Sequence, residues 1–217
     1  MSGTATSTFK VGLVQMRSGL EPQDNLVALL AAIDEAKRGG VDYVQTPEMT
    51  NILALKRDQL FAKIVEEEQD PTLATMRELA RKLGIYIHVG SLAIKVSPEK
   101  AANRSFLIDR KGDIAARYDK IHMFDVDLAG GESYRESNNY RAGELAVIGD
   151  LPWGRLGLTV CYDLRFPALY RALAERFKKV GAEIPAYLCM EPASVHEHVF
   201  GAVPARPATI GERLARA

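Results

Sequence analysis

The stretch FKVGLVQMRSGLEPQDNLVALLAAIDEAKRGGVDYV, residues Phe9–Val44, reads as strand, helix, strand. Phe9–Met16 is short, rich in β-formers and closed by the turn pair Ser18-Gly19. Pro22 suits a first helical turn, Leu26, Leu29, Leu30 and Ile33 recur at helical spacing, and Gly39-Gly40 stops the helix. Val41–Val44 is the second strand, and a β-α-β start argues for an α/β architecture. Further along, Asp70 caps a second helix with Pro71 at its first position, Met76, Leu79, Ala80 and Leu83 on one face, and Gly84 closing it. The chain then turns strand-rich. Ile85–Val96 is strand-like, and Phe106–Ile108 and Ile114–Tyr118 flank a hairpin loop at Asp109–Asp113. Leu156–Cys161 is another buried strand, after which Asp163 and Pro167 introduce a helix with Phe166, Leu169, Tyr170 and Leu173 on one face. The runs Glu66-Glu67-Glu68 and Lys178-Lys179 read as solvated helix faces.

A length of 217 residues suits one sizeable domain. The chain is 47% hydrophobic and 26% charged, an ordinary globular composition. Lys and Arg number 28 and Asp and Glu number 28, so there is no basic surplus of the kind a nucleic-acid binder carries. Two cysteines, Cys161 and Cys189, make neither a disulfide framework nor a thiolate zinc site. No apolar run approaches the roughly 20 residues of a membrane span. The Ser/Thr-rich start lacks the basic and apolar regions of a secretion signal. The expectation is a soluble, cytoplasmic protein with a disordered N-terminus at residues 1–8 and neither nucleic acid nor membrane as partner.

Cys161 stands where an apolar strand gives way to a helix. A side chain there projects from the sheet edge, and the amides of a following helix favour a thiolate. On position alone, however, a lone cysteine is more often a small buried hydrophobe. Glu48 follows the second strand through Gln45-Thr46-Pro47, and Lys120 follows Ile114–Tyr118; taken singly, each is by default a solvated charge. Three such residues just past strand ends converge if those strands share a sheet. His122 suits orienting a loop, His88 lies in a strand, and Trp153 suits packing. Asp163 and Arg165 suit pairing or capping at the helix start. His196-Glu197-His198 offers too few ligands for a metal site.

Taken together, TPEMTN (46–51), RYDKIHMFDVDL (117–128), SYRES (133–137) and GRLGLTVCYDLRFPALYRALAE (154–175) resemble the nitrilase superfamily of carbon–nitrogen hydrolases. The resemblance runs from about Phe9 to Glu175 and lies nearest the omega-amidase and deaminated-glutathione amidase branch. It implies a four-layer α-β-β-α sandwich of two stacked sheets over residues 9–187. It also implies Glu48 as general base, Lys120 as the lysine of the K-I-H motif and Cys161 as nucleophile. Glu136 would be a further glutamate lining the site, and the backbone N–H of Tyr162 an oxyanion-hole donor. The implied reaction is hydrolysis of a small carboxylate-bearing amide to acid and ammonia through a cysteine thioester. No metal or organic cofactor is implied, and the expected assembly is a homodimer or higher homo-oligomer.

Past Glu175 the pattern departs. Gly181-Ala182-Glu183-Ile184 resembles the family's linker after an apparent insertion at residues 176–180, but Pro185 interrupts the strand expected next. Residues 188–217 are a divergent tail containing Pro192, Pro204 and Pro207. The expectation is a sandwich lacking C-terminal strands, with apolar surface and strand edges left open. Two alternatives stand beside the amidase. One is a truncated, inactive relative acting only as a binding or remnant protein; the other is a cysteine acyltransferase using the same triad on an amine.

Overall fold

In the computed structural model of the chain the described residues are 8–128, 131–179 and 186–187. Strand β1 (Val11–Leu13), helix α1 (Pro22–Arg38) and strand β2 (Tyr43–Gln45) form the expected opening unit, with β1 and β2 parallel. A short α2 (Arg57–Phe61), with no counterpart in the sequence reading, precedes α3 (Pro71–Leu83). The Asp70 side chain accepts from the Leu73 amide and Gly84 ends α3 in a left-handed conformation, so both expected caps are present. Strands β3 (Tyr86–Lys95), β4 (Ala101–Ile108) and β5 (Ile114–Asp119) complete a five-stranded sheet of order β1-β2-β3-β4-β5. The β4–β5 turn is the expected hairpin: the Asp109 carboxylate accepts from the Lys111 and Asp113 amides.

Among the described residues, two further strands, β6 (Asp125–Asp127) and β7 (Ser133–Arg135), pair only with each other. Strands β8 (Val147–Leu151) and β9 (Gly154–Leu158) form an antiparallel hairpin, followed by α4 (Pro167–Lys179) and β10 (Ala186–Tyr187), which pairs parallel with β9. A strand thus forms directly after Pro185 in the sequence, where interruption was expected.

Strand alternation sorts the side chains into layers. On one face of the first sheet, Leu29, Ile33, Met76 and Ala80 of α1 and α3 pack on Val44, Ile87, Val89 and Phe106. On the other face, Tyr43, Leu107 and Tyr118 meet Leu156 and Leu158 of the second sheet and Val160 just beyond its strand. Leu169 and Leu173 of α4 pack on Ile148, on the far side of that second sheet. The order α-β-β-α is therefore the four-layer sandwich that the resemblance implied. The expected lack of C-terminal strands concerns residues 188–217, which lie outside the described residues, as do Cys189 and His196-Glu197-His198. Among the described residues no helix is long and apolar enough to cross a membrane.

The reading of Glu66–Glu68 as a solvated helix face needs correction. Glu67 opens a 3-10 turn, and its carboxylate receives the guanidinium groups of Arg104 at 2.8 Å and Arg117 at 2.6 Å. Local charge patterning could not show this, because both arginines lie at least 37 residues away in sequence.

Candidate active site

Glu48 sits in the loop after β2, and the loop is held from both sides. The Met49 amide donates to Ser91 Oγ at 2.9 Å, and the Thr50 amide donates to the Ser91 carbonyl at the same distance. Thr46 and Thr50 share a hydroxyl contact of 2.7 Å. Gly90 makes the close approach of this loop to β3 possible: a Cβ there would lie 2.2 Å from the Thr46 carbonyl oxygen. Lys120 leaves the end of β5, its amide donating to the Asn103 carbonyl on β4 and its own carbonyl accepting from Gly143. At Gly143 a Cβ would lie 2.1 Å from the Asp119 carbonyl oxygen, so this crossing too depends on glycine. Glu136 begins a 3-10 turn after β7, and its Oε2 accepts from the Phe124 amide at 2.7 Å.

These three elements bring their charged side chains to one buried point. Lys120 Nζ donates to Glu48 Oε1 at 2.9 Å and reaches Glu136 Oε1 at 3.1 Å and Oε2 at 2.9 Å. Lys120 is 2% exposed, so water contributes little to screening its charge. Burial works against the ammonium, but Glu48, Glu136 and Cys161 more than offset it, and its pKa is raised well above the ordinary lysine value. The lysine is a fixed cation, and Cys161 lies within its electrostatic reach.

Cys161 follows β9 through Thr159-Val160, and its backbone takes a φ of +46°. A non-glycine residue in that region costs about 1–3 kcal/mol and occurs where the surroundings enforce it. Here they do: the buried carboxylate of Asp163 accepts from the Val160 amide at 2.9 Å and from Tyr118 Oη at 2.7 Å. Its other oxygen accepts from the His122 amide at 3.0 Å and contacts His122 Nδ1 at 2.7 Å. Asp163 therefore ties the cysteine turn to the loop after Lys120, while Arg165 stays exposed. Of the expected pairing or capping by Asp163 and Arg165, Asp163 supplies a cap, accepting from the Val160 amide that precedes the Cys161–Arg165 turn. The expectation of a helix directly behind the thiol is corrected. A five-residue 3-10 turn, Cys161–Arg165, comes first and α4 starts only at Pro167, leaving Lys120 as the cationic neighbour of the thiol.

Tyr162 stands edge-on to Phe124 and Phe166, and Phe166 stacks on His122 at 3.7 Å, making an aromatic wall beside Cys161. His88 is buried between Tyr43 Oη and Ser105 Oγ, each at 2.8 Å, and burial lowers its pKa to about 4. Trp153 stacks on Phe9 at 4.3 Å, a packing role. Among the described residues no group of three or more His, Cys, Asp and Glu could hold a metal ion. A cavity of about 490 Å³ opens beside Arg104, Arg117 and Arg141, but its lining includes none of Glu48, Lys120 or Cys161.

Two members of the cluster were missed in the sequence. Asn103 is fully buried on β4 and donates to Glu48 Oε1 at 2.7 Å and Glu136 Oε1 at 3.1 Å. A polar residue inside the β-prone run Ala101–Ile108 was the available signal. Tyr140 is the other; burial and then Glu136 and Glu48 raise the pKa of its hydroxyl, which donates to Met49 Sδ at 3.7 Å.

Residues 10–200 match the carbon–nitrogen hydrolase family. The chain is 42% identical over 178 residues to the deaminated glutathione amidase of Yersinia enterocolitica, an alignment covering 80% of this chain and 60% of that protein. It is 31% identical over 184 residues to the chloroplastic omega-amidase of Arabidopsis thaliana, covering 82% of this chain and 48% of that one. It spans about half to three fifths of the length of these relatives. Among solved structures, the NitFhit protein of C. elegans superposes with a TM-score of 0.75 at 27% identity, over 91% of this chain and 47% of that one. An amidase from Nesterenkonia sp. superposes at 0.69 and 27% identity, over 85% and 66%. A variant of that amidase shows the result of Michael addition of acrylamide at its active-site cysteine (TM-score 0.69, 26% identity, 84% and 67% covered).

Proposed function

Because the chain belongs to the carbon–nitrogen hydrolase family, we propose that the buried cluster hydrolyses a small carboxylate-bearing amide to the acid and ammonia, with Cys161 as nucleophile. The observation that carries the reading is the Lys120 ammonium, fixed between Glu48 and Glu136 and electrostatically coupled to Cys161.

Glu48 Oε1 already receives Lys120 and Asn103, so Oε2 is the oxygen that takes the Cys161 proton. The sulfur attacks the amide carbon, a C–S bond forms, and the carbonyl electron pair moves to oxygen. Lys120 and the Tyr162 N–H stabilise that oxyanion, an effect on the order of 3 kcal/mol per donor. As the oxyanion collapses the C–N bond breaks, and the proton held by Glu48 goes to the departing nitrogen, which leaves as ammonia. Glu48 then takes a proton from water as its oxygen attacks the thioester; the C–S bond breaks, the acid leaves, and the proton returns to sulfur. The names of the relatives, deaminated glutathione amidase and omega-amidase, support an amide as substrate class. The aromatic wall of Phe124, Tyr162 and Phe166 offers apolar surface for the remainder of such a molecule.

An ammonia-release panel over small ω-amides, with and without an added amine acceptor, tests the reading. Acid and ammonia should form in equal amounts, and Cys161→Ala should abolish both while melting as the parent does. Turnover retained in Cys161→Ala would remove the nucleophile assignment, and acyl transfer to the amine in place of acid would replace hydrolysis by acyltransfer.

A further inference from the structure

One buried polar side chain at the centre of the cluster has no step of its own in this reaction. Asn103 touches all three charged residues: its side chain reaches Glu48 and Glu136, and its backbone carbonyl accepts from the Lys120 amide at 2.9 Å. Charge decides which way the amide faces. Turned over, Oδ1 would oppose two carboxylates and neither would gain a donor from β4. In the observed orientation Oδ1 is buried and meets no hydrogen-bond donor among the described residues. A position that only needed filling would be better served by an apolar residue of similar shape, because an unmet buried acceptor is destabilising. The two N–H groups also do what the lysine does not. They are set in a plane at a fixed angle, whereas an ammonium on a four-carbon stem presents rotating donors.

We propose that Asn103 is a positioning residue, which holds Glu48 and Glu136 as a fixed pair of carboxylates and keeps Oε2 of Glu48 turned to the thiol. This rests on the reading of Glu48 as the base. The titratable and charged groups facing the pair are Lys120 at the end of β5, Cys161 after β9, and Tyr140 ahead of β8. Of these Lys120 is the cation, and it donates to both glutamates as Asn103 does.

The test compares Asn103→Ala and the nearly isosteric Asn103→Asp with the parent in two pH profiles. The first is kcat/KM for ammonia release. The second is alkylation of Cys161 by iodoacetamide, read by peptide mapping so that Cys189 does not contribute. Removing a donor from a carboxylate favours its protonated form, so in Asn103→Ala the acid limb of both profiles should move up by about one pH unit. Misplacement of the base should lower kcat about 10- to 100-fold, with KM changed less than about threefold. Asn103→Asp should keep more turnover at low pH than at high pH, since a neutral carboxyl donates and a third carboxylate repels. It carries the test by itself if the alanine variant does not fold. A purely structural asparagine would lower the melting temperature and scale both profiles without moving their limbs, and that result overturns the proposal. If the parent releases no ammonia from any amide while the alkylation limb still moves, positioning stands and the hydrolysis reading falls. If the parent hydrolyses amides and neither limb moves, hydrolysis stands and positioning falls.

Discussion

Neighbouring positions on two paired strands build two ionic clusters of different character. Asn103 and Lys120 enter the candidate site. Arg104 and Asp119, one position along on each strand, join Glu67 and Arg117 in a separate network. Alternation along β4 and β5 is what separates them. In the first cluster two carboxylates, Glu48 and Glu136, share one ammonium. In the second two carboxylates meet two guanidiniums, with Arg104 gripping Asp119 through two hydrogen bonds of 2.6 and 2.9 Å. The matched cluster has nothing to gain from a proton and serves to hold β4, β5 and the Glu67 turn together. The unmatched one keeps a carboxylate whose charge is only half answered, the condition a proton acceptor needs. Charge balance, more than charge density, distinguishes the two.

Replacing the cation of the unmatched cluster should have the largest effect. Lys120→Met is expected to lower kcat about 100- to 1000-fold and stability by about 3–5 kcal/mol, because two buried carboxylates lose their partner. Ammonia-release kinetics and urea melts would measure both; near-parental turnover would make the two clusters alike. Glu48→Gln comes next, with kcat reduced about 100-fold or more and Cys161 alkylated more slowly. Stability should hold or rise, since a like-charged pair is relieved, and an unchanged alkylation rate would show that Glu48 is not the proton acceptor. In the matched cluster Arg104→Leu should reverse the pattern. Its side chain is 18% exposed, so a loss of about 2–3 kcal/mol is expected, with kcat within tenfold of the parent. The smallest effect belongs to Arg117→Leu. That side chain is 49% exposed, and screening holds the loss below about 1 kcal/mol, with turnover unchanged.

Much of the frame could be read from local pattern. The caps of α3, the apolar stripe of α1 and the Asp109–Asp113 hairpin depend on residues within a few positions of one another; the caps and the hairpin are present, and Leu26, Leu29 and Ile33 of the stripe are buried while Leu30 is exposed. The candidate site was reached differently. Position alone left Cys161, Glu48 and Lys120 as a default hydrophobe and two default surface charges; the resemblance joined them, and the structure brings Glu48, Lys120 and Glu136 into contact. What stayed hidden was partnership at long separation. Asn103 lies 55 residues from Glu48 and Asp163 lies 41 from His122, and neither pairing leaves a periodic trace.

By itself, then, the sequence determined the main α/β elements and the set of residues whose resemblance to a carbon–nitrogen hydrolase site implied the four layers. Only the tertiary structure decided that Asn103 bridges two glutamates, that Asp163 braces the strained cysteine turn, and that Glu67 is a partly buried partner of two arginines. The reason is physical. Side-chain periodicity follows from the geometry of a single helix or strand. Hydrogen bonds between distant segments depend on sheet register and on the close approaches at Gly90 and Gly143, which exist only once the sheet has formed.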